Sequence, residues 1–448
     1  MGKPAVEAQM SSGLSGSTER AVLSSQPRLE GDQRDALAVL VALVLVLTQF
    51  LGPIGALAAL VASPIWFPTL RRFDYARLFF VAMAACVCGA LVLWVVNPAE
   101  GSYSASNAVG DLTLIARAGV AFGVFVWCRS VLGIINLAFV YGALGLLRAF
   151  VDYGITTDAV QLKYHFSWWM VVLLLAFVSR LERRLAIGLM ATGVLAIAAI
   201  AEYRALVAFL TLSVALLLLA RFTARRGQAL TTKALGRDLL KIGPPIVLLT
   251  YLTYKAVEKL LLGGAFGESL QLKTELQIAQ FGSIILGGRA EAPIALGLMR
   301  DNPWGYGPGY VPTAQDYYAG AYQRLVDANV NYLDTYSFAG HIKLHSFWGD
   351  LWVNAGIAGL CAAGLMLILV GTGLSTALRH RSPELLTIFL CVWGVWHVLF
   401  SPIYSNLLEF AFIAAVVARS KSPVQVDAGL VRGDGVRPPS GRGRTLRA

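Results

Sequence analysis

Long apolar stretches separated by short polar segments dominate the chain between residues 36 and 418. A spanning helix needs about 20 apolar residues, so these stretches are long enough to cross a bilayer alone, with tilt, or as tight helical hairpins. The pattern predicts an all-α polytopic membrane protein with about twelve transmembrane helices, at 36–50, 53–69, 78–96, 112–128, 131–149, 167–180, 185–200, 205–220, 242–257, 350–372, 384–400 and 404–418.

The polar segments divide the chain into five regions. Residues 1–35 form a polar N-terminal tail without the basic, apolar and small-residue pattern of a cleavable signal. Helices one to nine occupy 36–257, a large loop follows at 258–349, and helices ten to twelve occupy 350–418. Residues 419–448 are rich in Gly, Pro and Arg, which predicts a disordered basic tail that favours anionic lipid headgroups.

Composition supports the membrane interpretation. Hydrophobic residues make up 57% of the chain and charged residues only 14%, against about 25% charged residues in soluble domains. These values exclude an ordinary soluble protein, a disordered chain and a disulfide-rich scaffold. All five cysteines fall inside apolar stretches, so neither a disulfide framework nor a metal-ligand spacing is indicated.

The chain has a net charge of +11, and the positions of its Lys and Arg residues indicate how it is oriented in the membrane. Lys and Arg cluster at 71–77, 180–184, 221–241, 379–381 and in the C-terminal tail, whereas the alternate loop at 97–111 contains neither. An even number of crossings places all of these clusters on the side of the N-terminus, and basic loops face the cytoplasm. Both termini are therefore predicted to be cytoplasmic, and a nucleic-acid partner is not expected.

The large loop at 258–349 falls on the opposite side, and loops this long are usually functional. Within it, apolar residues recur at helical spacing between residues 268 and 285. This helix would either lie on the membrane surface or pack over the helix bundle.

Basic residues outside the cytoplasmic clusters and tails are the candidates for chemistry, because a charge within or near the bilayer is costly. They are Arg117, Arg148, Lys163, Arg204, Lys255, Lys259, Lys273, Arg289, Arg300, Arg324 and Lys343. Arg204 lies in a very short outer turn, where it either points at the outer mouth of the bundle or pairs with Glu202. Arg289 follows two glycines, which allow backbone amides to approach an anion while the guanidinium binds phosphate.

Two histidines stand just before the tenth predicted helix. His341 and His345 are four residues apart, but the sequence offers no third zinc ligand at a sensible spacing. Proton transfer suits His345 better, and the alternative is an interfacial histidine that hydrogen-bonds to backbone. Lys343 and Asp350 lie beside it and are candidate supporting residues.

Three ionisable residues fall in the outer thirds of predicted helices: Arg117, already named above, together with His397 and Glu409. Polar groups at such depth should face one another or a shared cavity. A structural ion pair and a contribution to substrate binding both remain open.

Taken in order, these features resemble the O-antigen ligase and polymerase superfamily. The resemblance rests on Arg204, on Gly288-Arg289, on the Asn-Pro-x-Gly-x-Gly motif at 302–307, on His345, and on the Gly-x-x-Gly motif at 356–359. Two positions depart from the family pattern: Ser346 stands where Asn usually follows the histidine, and Tyr203 stands where Ser often precedes the arginine.

The resemblance implies a GT-C-like glycosyltransferase of the bacterial inner membrane, with its large loop and active site at the periplasmic face. It implies an inverting transfer without metal or other cofactor, from a glycan on undecaprenyl diphosphate to a sugar hydroxyl of lipid A-core. His345 would be the catalytic base, and Arg289, Arg204 and Arg117 would bind the donor diphosphate. The supporting residues would be His341, Lys343, Asp350, His397 and Glu409.

Two alternatives remain at this stage. A polymerase of the same superfamily would differ mainly in its acceptor. A transporter of lipid-linked glycans would also use intramembrane arginines, but it should show repeat symmetry and broken helices near the midplane of the membrane.

Overall fold

The structure is a computed structural model that describes residues 31–47, 60–96, 103–156, 158–181, 204–225, 254–265, 267–281, 291–322, 340–379 and 384–420, with a few isolated positions between them. Within these ranges the regular secondary structure is helical, and β-structure is limited to the isolated bridges between Phe73 and Ser420 and between Tyr103 and Tyr310. The predicted all-α fold is therefore confirmed for the described part of the chain.

The helices are α1 (Gly31–Leu47), α2 (Ser63–Trp66), α3 (Ala76–Val96), α4 (Ala105–Tyr153), α5 (Ala159–Gln161), α6 (Ser167–Val178), α7 (Arg204–Arg225), α8 (Glu268–Phe281), α9 (Glu291–Asp301), α10 (Ala314–Tyr322), α11 (Phe347–Arg379), α12 (Leu385–Phe400) and α13 (Ile403–Val417). A 3-10 helix at Phe67–Arg72 follows α2, and a π-helical turn at Leu162–Phe166 precedes α6.

Helices α3, α4 and α11 are long and apolar enough to cross a membrane, and α6, α7, α12 and α13 form shorter apolar helices. Large apolar side chains such as Val95 and Val151 are about 70% exposed (71% and 72%), as expected for faces that contact lipid. These features indicate a membrane protein. The number of twelve spans stays a prediction, because the predicted spans at 185–200 and 242–257 fall largely outside the described residues.

Helix α4 reverses direction at Gly133. This residue has φ 76° and ψ 173°, a backbone conformation that glycine adopts without the steric cost of a side chain. Phe125 and Tyr141 lie eight positions on either side, and their ring centroids are 5.3 Å apart. The two halves of α4 are therefore antiparallel limbs of one hairpin, which correspond to the separate spans predicted at 112–128 and 131–149.

Helix α11 is broken at Gly356, where φ is 59° and ψ is −136°. Residues eight apart in a straight helix are separated by about 12 Å, yet a Cβ added to Gly359 would collide with the Leu351 carbonyl oxygen. The first turns of α11, up to residue 355, thus fold sharply against the remainder. This break divides the span predicted at 350–372, and the continuous helix in the bundle runs over 357–379.

The bundle has two distinguishable ends. At one, which we call the arginine end, the Arg129 guanidinium donates to the carbonyls of Ala415 and Ala418, and the Asp74 N–H donates to the Arg419 carbonyl. The opposite end, which we call the loop end, contains the starts of α4, α11 and α13 and the segments 302–310 and 340–346. The segment 73–74, inside the basic cluster at 71–77, meets Arg419 and Ser420 at the arginine end, and these are the first two residues of the basic C-terminal tail.

Candidate functional site

Residues 302–310 form a loop that fits into the break of α11, and we call it the wedge loop. The backbone N–H groups of Tyr306 and Gly307 donate to the Val353 carbonyl, at 3.0 and 2.9 Å. That carbonyl is available because the break at Gly356 interrupts the helical hydrogen-bond ladder. The Trp352 indole N–H also donates to the Pro303 carbonyl, at 3.1 Å. The Asn-Pro-x-Gly-x-Gly motif therefore fastens the large loop to the bundle.

The glycines of the wedge loop are required by close backbone approach. A Cβ on Gly305 would lie 2.5 Å from the Trp352 carbonyl oxygen and 3.0 Å from the Cα of Gly356. A Cβ on Gly309 would lie 2.5 Å from the Ser104 carbonyl oxygen, and the Gly309 N–H donates to the Asp111 carboxylate at 3.0 Å. The wedge loop is thus held between α11 and the start of α4.

Asp350 joins three segments at the loop end. One carboxylate oxygen accepts from the Leu344 N–H at 2.6 Å, and the other accepts from the Ile403 N–H at 3.0 Å. Ile403 begins α13, and the partial positive charge of a helix N-terminus favours a carboxylate there. The side chain is fully buried. Asp350, predicted as a supporting residue, therefore fixes segment 340–346 against α11 and α13.

His345 has an unusual backbone conformation. Its φ is 45°, in the left-handed region that non-glycine residues seldom adopt and that is over-represented at functional sites. Its neighbours are both held by Asp350, which accepts from the Leu344 N–H and donates its own N–H to the Ser346 carbonyl at 2.8 Å. The predicted catalytic base thus stands on a rigid, strained turn at the loop end.

His341 packs against Tyr404 of α13, with ring centroids 5.0 Å apart. Its Nε2 atom is buried and has no hydrogen-bond partner among the described residues. Burial, together with the nearby Lys343 ammonium, lowers the pKa of His341 to about 4. The imidazole is therefore neutral near pH 7 and able to accept a hydrogen bond.

Three residues of this cluster escaped the sequence interpretation. Asp111, only 5% exposed, interacts electrostatically with Lys343. Asn354 donates to the Asp350 carbonyl at 2.9 Å and contacts the Tyr404 hydroxyl at 3.4 Å. Asp111 had a recognisable signal, an acidic residue directly before an apolar stretch. Tyr404 had none, because aromatic residues are common at the ends of membrane helices.

His397 and Glu409 face each other across α12 and α13, as the sequence predicted. The His397 Nε2 lies 3.6 Å from a Glu409 carboxylate oxygen. The His397 ring also stacks on Phe347, with a centroid distance of 5.7 Å and an interplanar angle of 12°. Phe347 is the first residue of α11 and lies two positions after His345 in the sequence. The pair therefore packs against the start of α11.

Arg117 is not brought into this pair. It lies on α4, about 9 Å further along the helix axis than Asp111. Its charged neighbour is Arg148 on the returning limb, which itself pairs with Asp152 at 3.3 Å. Arg117 forms no hydrogen bond or ion pair with a residue in the described ranges.

The two other predicted diphosphate ligands are not located. Arg204 is the first residue of α7, and only its backbone is described. Arg289 lies outside the described residues. The structure thus assembles the histidines, Lys343 and Asp350 with Asp111 and Tyr404, and it leaves the donor-binding arginines as a prediction.

Comparison with known proteins adds no relative: no protein-family model, no curated protein and no solved structure matches the chain. The residues at the loop end are therefore the basis for a functional assignment.

Proposed function

We propose that the protein is an O-antigen ligase, a membrane glycosyltransferase that moves a glycan from undecaprenyl diphosphate to a sugar hydroxyl of lipid A-core. The observation that carries the proposal is the strained turn at His345, which Asp350 fixes. Beside it lies the His341 Nε2, for which the described residues provide no hydrogen-bond partner. Enzymes commonly keep such strained residues where a side chain must be held in one orientation. The order of the sequence motifs around this turn supplies the family assignment.

In this proposal the arginine end faces the cytoplasm of a bacterium and the loop end faces the periplasm. The clustering of basic residues near Arg129 and Arg419 supports that orientation, because Lys and Arg are retained on the cytoplasmic side of the inner membrane. Both termini are then cytoplasmic, and the lipid-linked donor reaches the site from the outer leaflet.

The reaction is a single displacement at the anomeric carbon of the donor. The acceptor hydroxyl oxygen forms the new glycosidic bond, the bond to the diphosphate breaks, and undecaprenyl diphosphate leaves with the electron pair. His345 takes the hydroxyl proton, a contribution of roughly 10²–10⁴-fold in rate. Arg289, Arg204 and Arg117 neutralise the departing charge. Attack from the opposite face inverts the anomeric configuration.

A transporter is less well supported than a transferase. Transporters that use broken helices place the break near the midplane of the membrane. The break of α11 at Gly356 instead lies at the loop end, where the wedge loop covers it. A polymerase shares the chemistry proposed here and differs in its acceptor, so the assay must separate the two products.

The test supplies purified protein in lipid nanodiscs with undecaprenyl-diphosphate glycan and lipid A-core, with a chelator and without nucleotide. We expect free undecaprenyl diphosphate and a heavier lipopolysaccharide band. Elongated glycan on the lipid carrier would identify a polymerase instead. Absence of bond cleavage would refute both activities.

A further inference from the structure

At the loop end, His341 carries a buried polar atom for which the described residues provide no hydrogen-bond partner. The His341 Nε2 is buried and makes no hydrogen bond with the described residues, although its ring is held against Tyr404. An atom of this kind that is left without a partner destabilises the folded state. Buried polar atoms are usually satisfied, so each exception calls for an explanation, and a ligand that donates to Nε2 is the explanation developed below.

The charges around His341 restrict the kind of ligand. Lys343 lies within electrostatic range of both His341 and Asp111, and it makes no ion pair with any described residue. The carboxylates of Asp111 and Asp350 are buried, and both lie within electrostatic range of Tyr404, against which His341 packs. An anion would be repelled by the carboxylates and a cation by the ammonium. A neutral ligand that both donates and accepts hydrogen bonds fits a site that contains carboxylates and an ammonium group.

We infer that His341, Lys343, Asp111 and Tyr404 form a subsite for a neutral sugar ring, the acceptor sugar of the proposed transfer. A hydroxyl of that ring donates to the His341 Nε2, while Lys343 donates to a second ring oxygen. The subsite rests on the proposed function. It takes the acceptor because segment 340–346 also carries His345, the base that must reach the acceptor hydroxyl, whereas the donor diphosphate would meet the carboxylates of Asp111 and Asp350.

The test separates acceptor binding from donor binding by steady-state kinetics. His341→Phe keeps an aromatic ring against Tyr404 and removes the nitrogen, and we expect it to raise the KM for lipid A-core about tenfold, the effect of one lost hydrogen bond. The KM for undecaprenyl-diphosphate glycan should stay unchanged. His341→Gln places an amide near the position of Nε2 and should restore most of the acceptor affinity.

His165→Ala is the matched control. His165 is also a half-buried histidine stacked on a tyrosine, Tyr153, at 3.9 Å, but it lies on the π-helical turn before α6. It should leave both KM values unchanged. An unchanged acceptor KM in His341→Phe, a raised donor KM, or failure of His341→Gln to restore affinity would each overturn the subsite.

A binding measurement distinguishes failure of the subsite from failure of the ligase assignment. Core oligosaccharide released from lipid A is titrated calorimetrically into nanodiscs that hold each variant. If the wild type transfers no glycan, the ligase assignment fails. Weaker oligosaccharide binding to His341→Phe than to His165→Ala would still support a sugar subsite. Equal binding to both variants, or no binding to the wild type, would overturn it.

Discussion

The carboxylate of Asp350 accepts a hydrogen bond from the backbone N–H of Ile403 at 3.0 Å, and so joins the start of α11 to the start of α13. Its second oxygen accepts from Leu344 at 2.6 Å. One buried side chain therefore determines where the segment with both histidines lies on the bundle.

Replacement of Asp350 by Asn should destabilise the protein by at least about 2 kcal/mol. The amide offers one acceptor where the carboxylate offers two, and a buried N–H is left without a partner. The measurement is the midpoint of thermal unfolding in detergent, followed by tryptophan fluorescence.

Glu258→Gln is the control for this variant. Glu258 pairs with Lys255 at 2.8 Å, but the lysine is half exposed, and such pairs contribute little to stability. If both variants lost the same stability, the two hydrogen bonds that Asp350 accepts would contribute no more to stability than the surface pair of Glu258 does.

Gly356→Ala should destabilise the loop end by at least about 2 kcal/mol, because a Cβ at this φ and ψ is strained. The same Cβ would also collide with the Trp304 carbonyl oxygen. Gly364→Ala, on the same helix and with open space around the added Cβ, should be neutral or mildly stabilising. Folded yield and the unfolding midpoint compare the two, and similar values would contradict the packing of the wedge loop into the break.

The helical class and the approximate positions of the described spans followed from the lengths of apolar stretches. The reversal near Gly133 agrees with the separate spans predicted at 112–128 and 131–149. The break at Gly356 could not be predicted, because it does not interrupt the apolar pattern and glycines are frequent in membrane helices. The break is seen in the backbone conformation of Gly356 and in the closeness of Gly359 to the Leu351 carbonyl.

His345→Gly should be inactive yet at least as stable as the wild type. Glycine adopts the φ of 45° without the cost that a left-handed backbone imposes on histidine, about 1–2 kcal/mol. Loss of the proposed base should lower kcat by roughly 10²–10⁴-fold. Transfer assays and unfolding midpoints are measured on the same preparation. A stable variant that keeps its kcat would remove His345 from the reaction.

The stability of the protein should fall as the pH is lowered from about 6.5 to about 4. The unfolded His341 takes up a proton near pH 6.5, whereas the folded residue, with a pKa of about 4, resists protonation until lower pH. Protonation therefore favours the unfolded state within this interval and has no effect above it. Over this pH interval, the midpoint of thermal unfolding should fall further in the wild type than in His341→Phe. Parallel pH profiles of the two midpoints would contradict this prediction.

His397 and Glu409 should behave as a coupled pair. Removal of either side chain leaves the other in a buried site at a helix–helix contact. The loss of stability in the double variant His397→Ala/Glu409→Ala should be smaller than the summed losses of the single variants, by about 1–3 kcal/mol. A double-mutant cycle of denaturant unfolding measures this coupling, and additive losses would refute it.

The candidate site was predictable in part. His341, Lys343, His345 and Asp350 are neighbours in sequence, so their proximity needed no tertiary information. Asp111 lies near them because the wedge loop joins α4 to α11 and because Asn107 of α4 donates to the Gly340 carbonyl. A contact of that kind has no local pattern in the sequence.

The hairpin at Gly133 also sets an order of assembly during synthesis. Both limbs of α4 leave the ribosome within one stretch of 49 residues, so Phe125 and Tyr141 meet after a short delay. Asp111 must wait for Gly309, which follows it by 198 residues, and Asp350 must wait for Ile403. A nascent chain therefore forms this hairpin long before Asp111 and Asp350 have met these partners. A truncated chain would be embedded in the membrane but without a site.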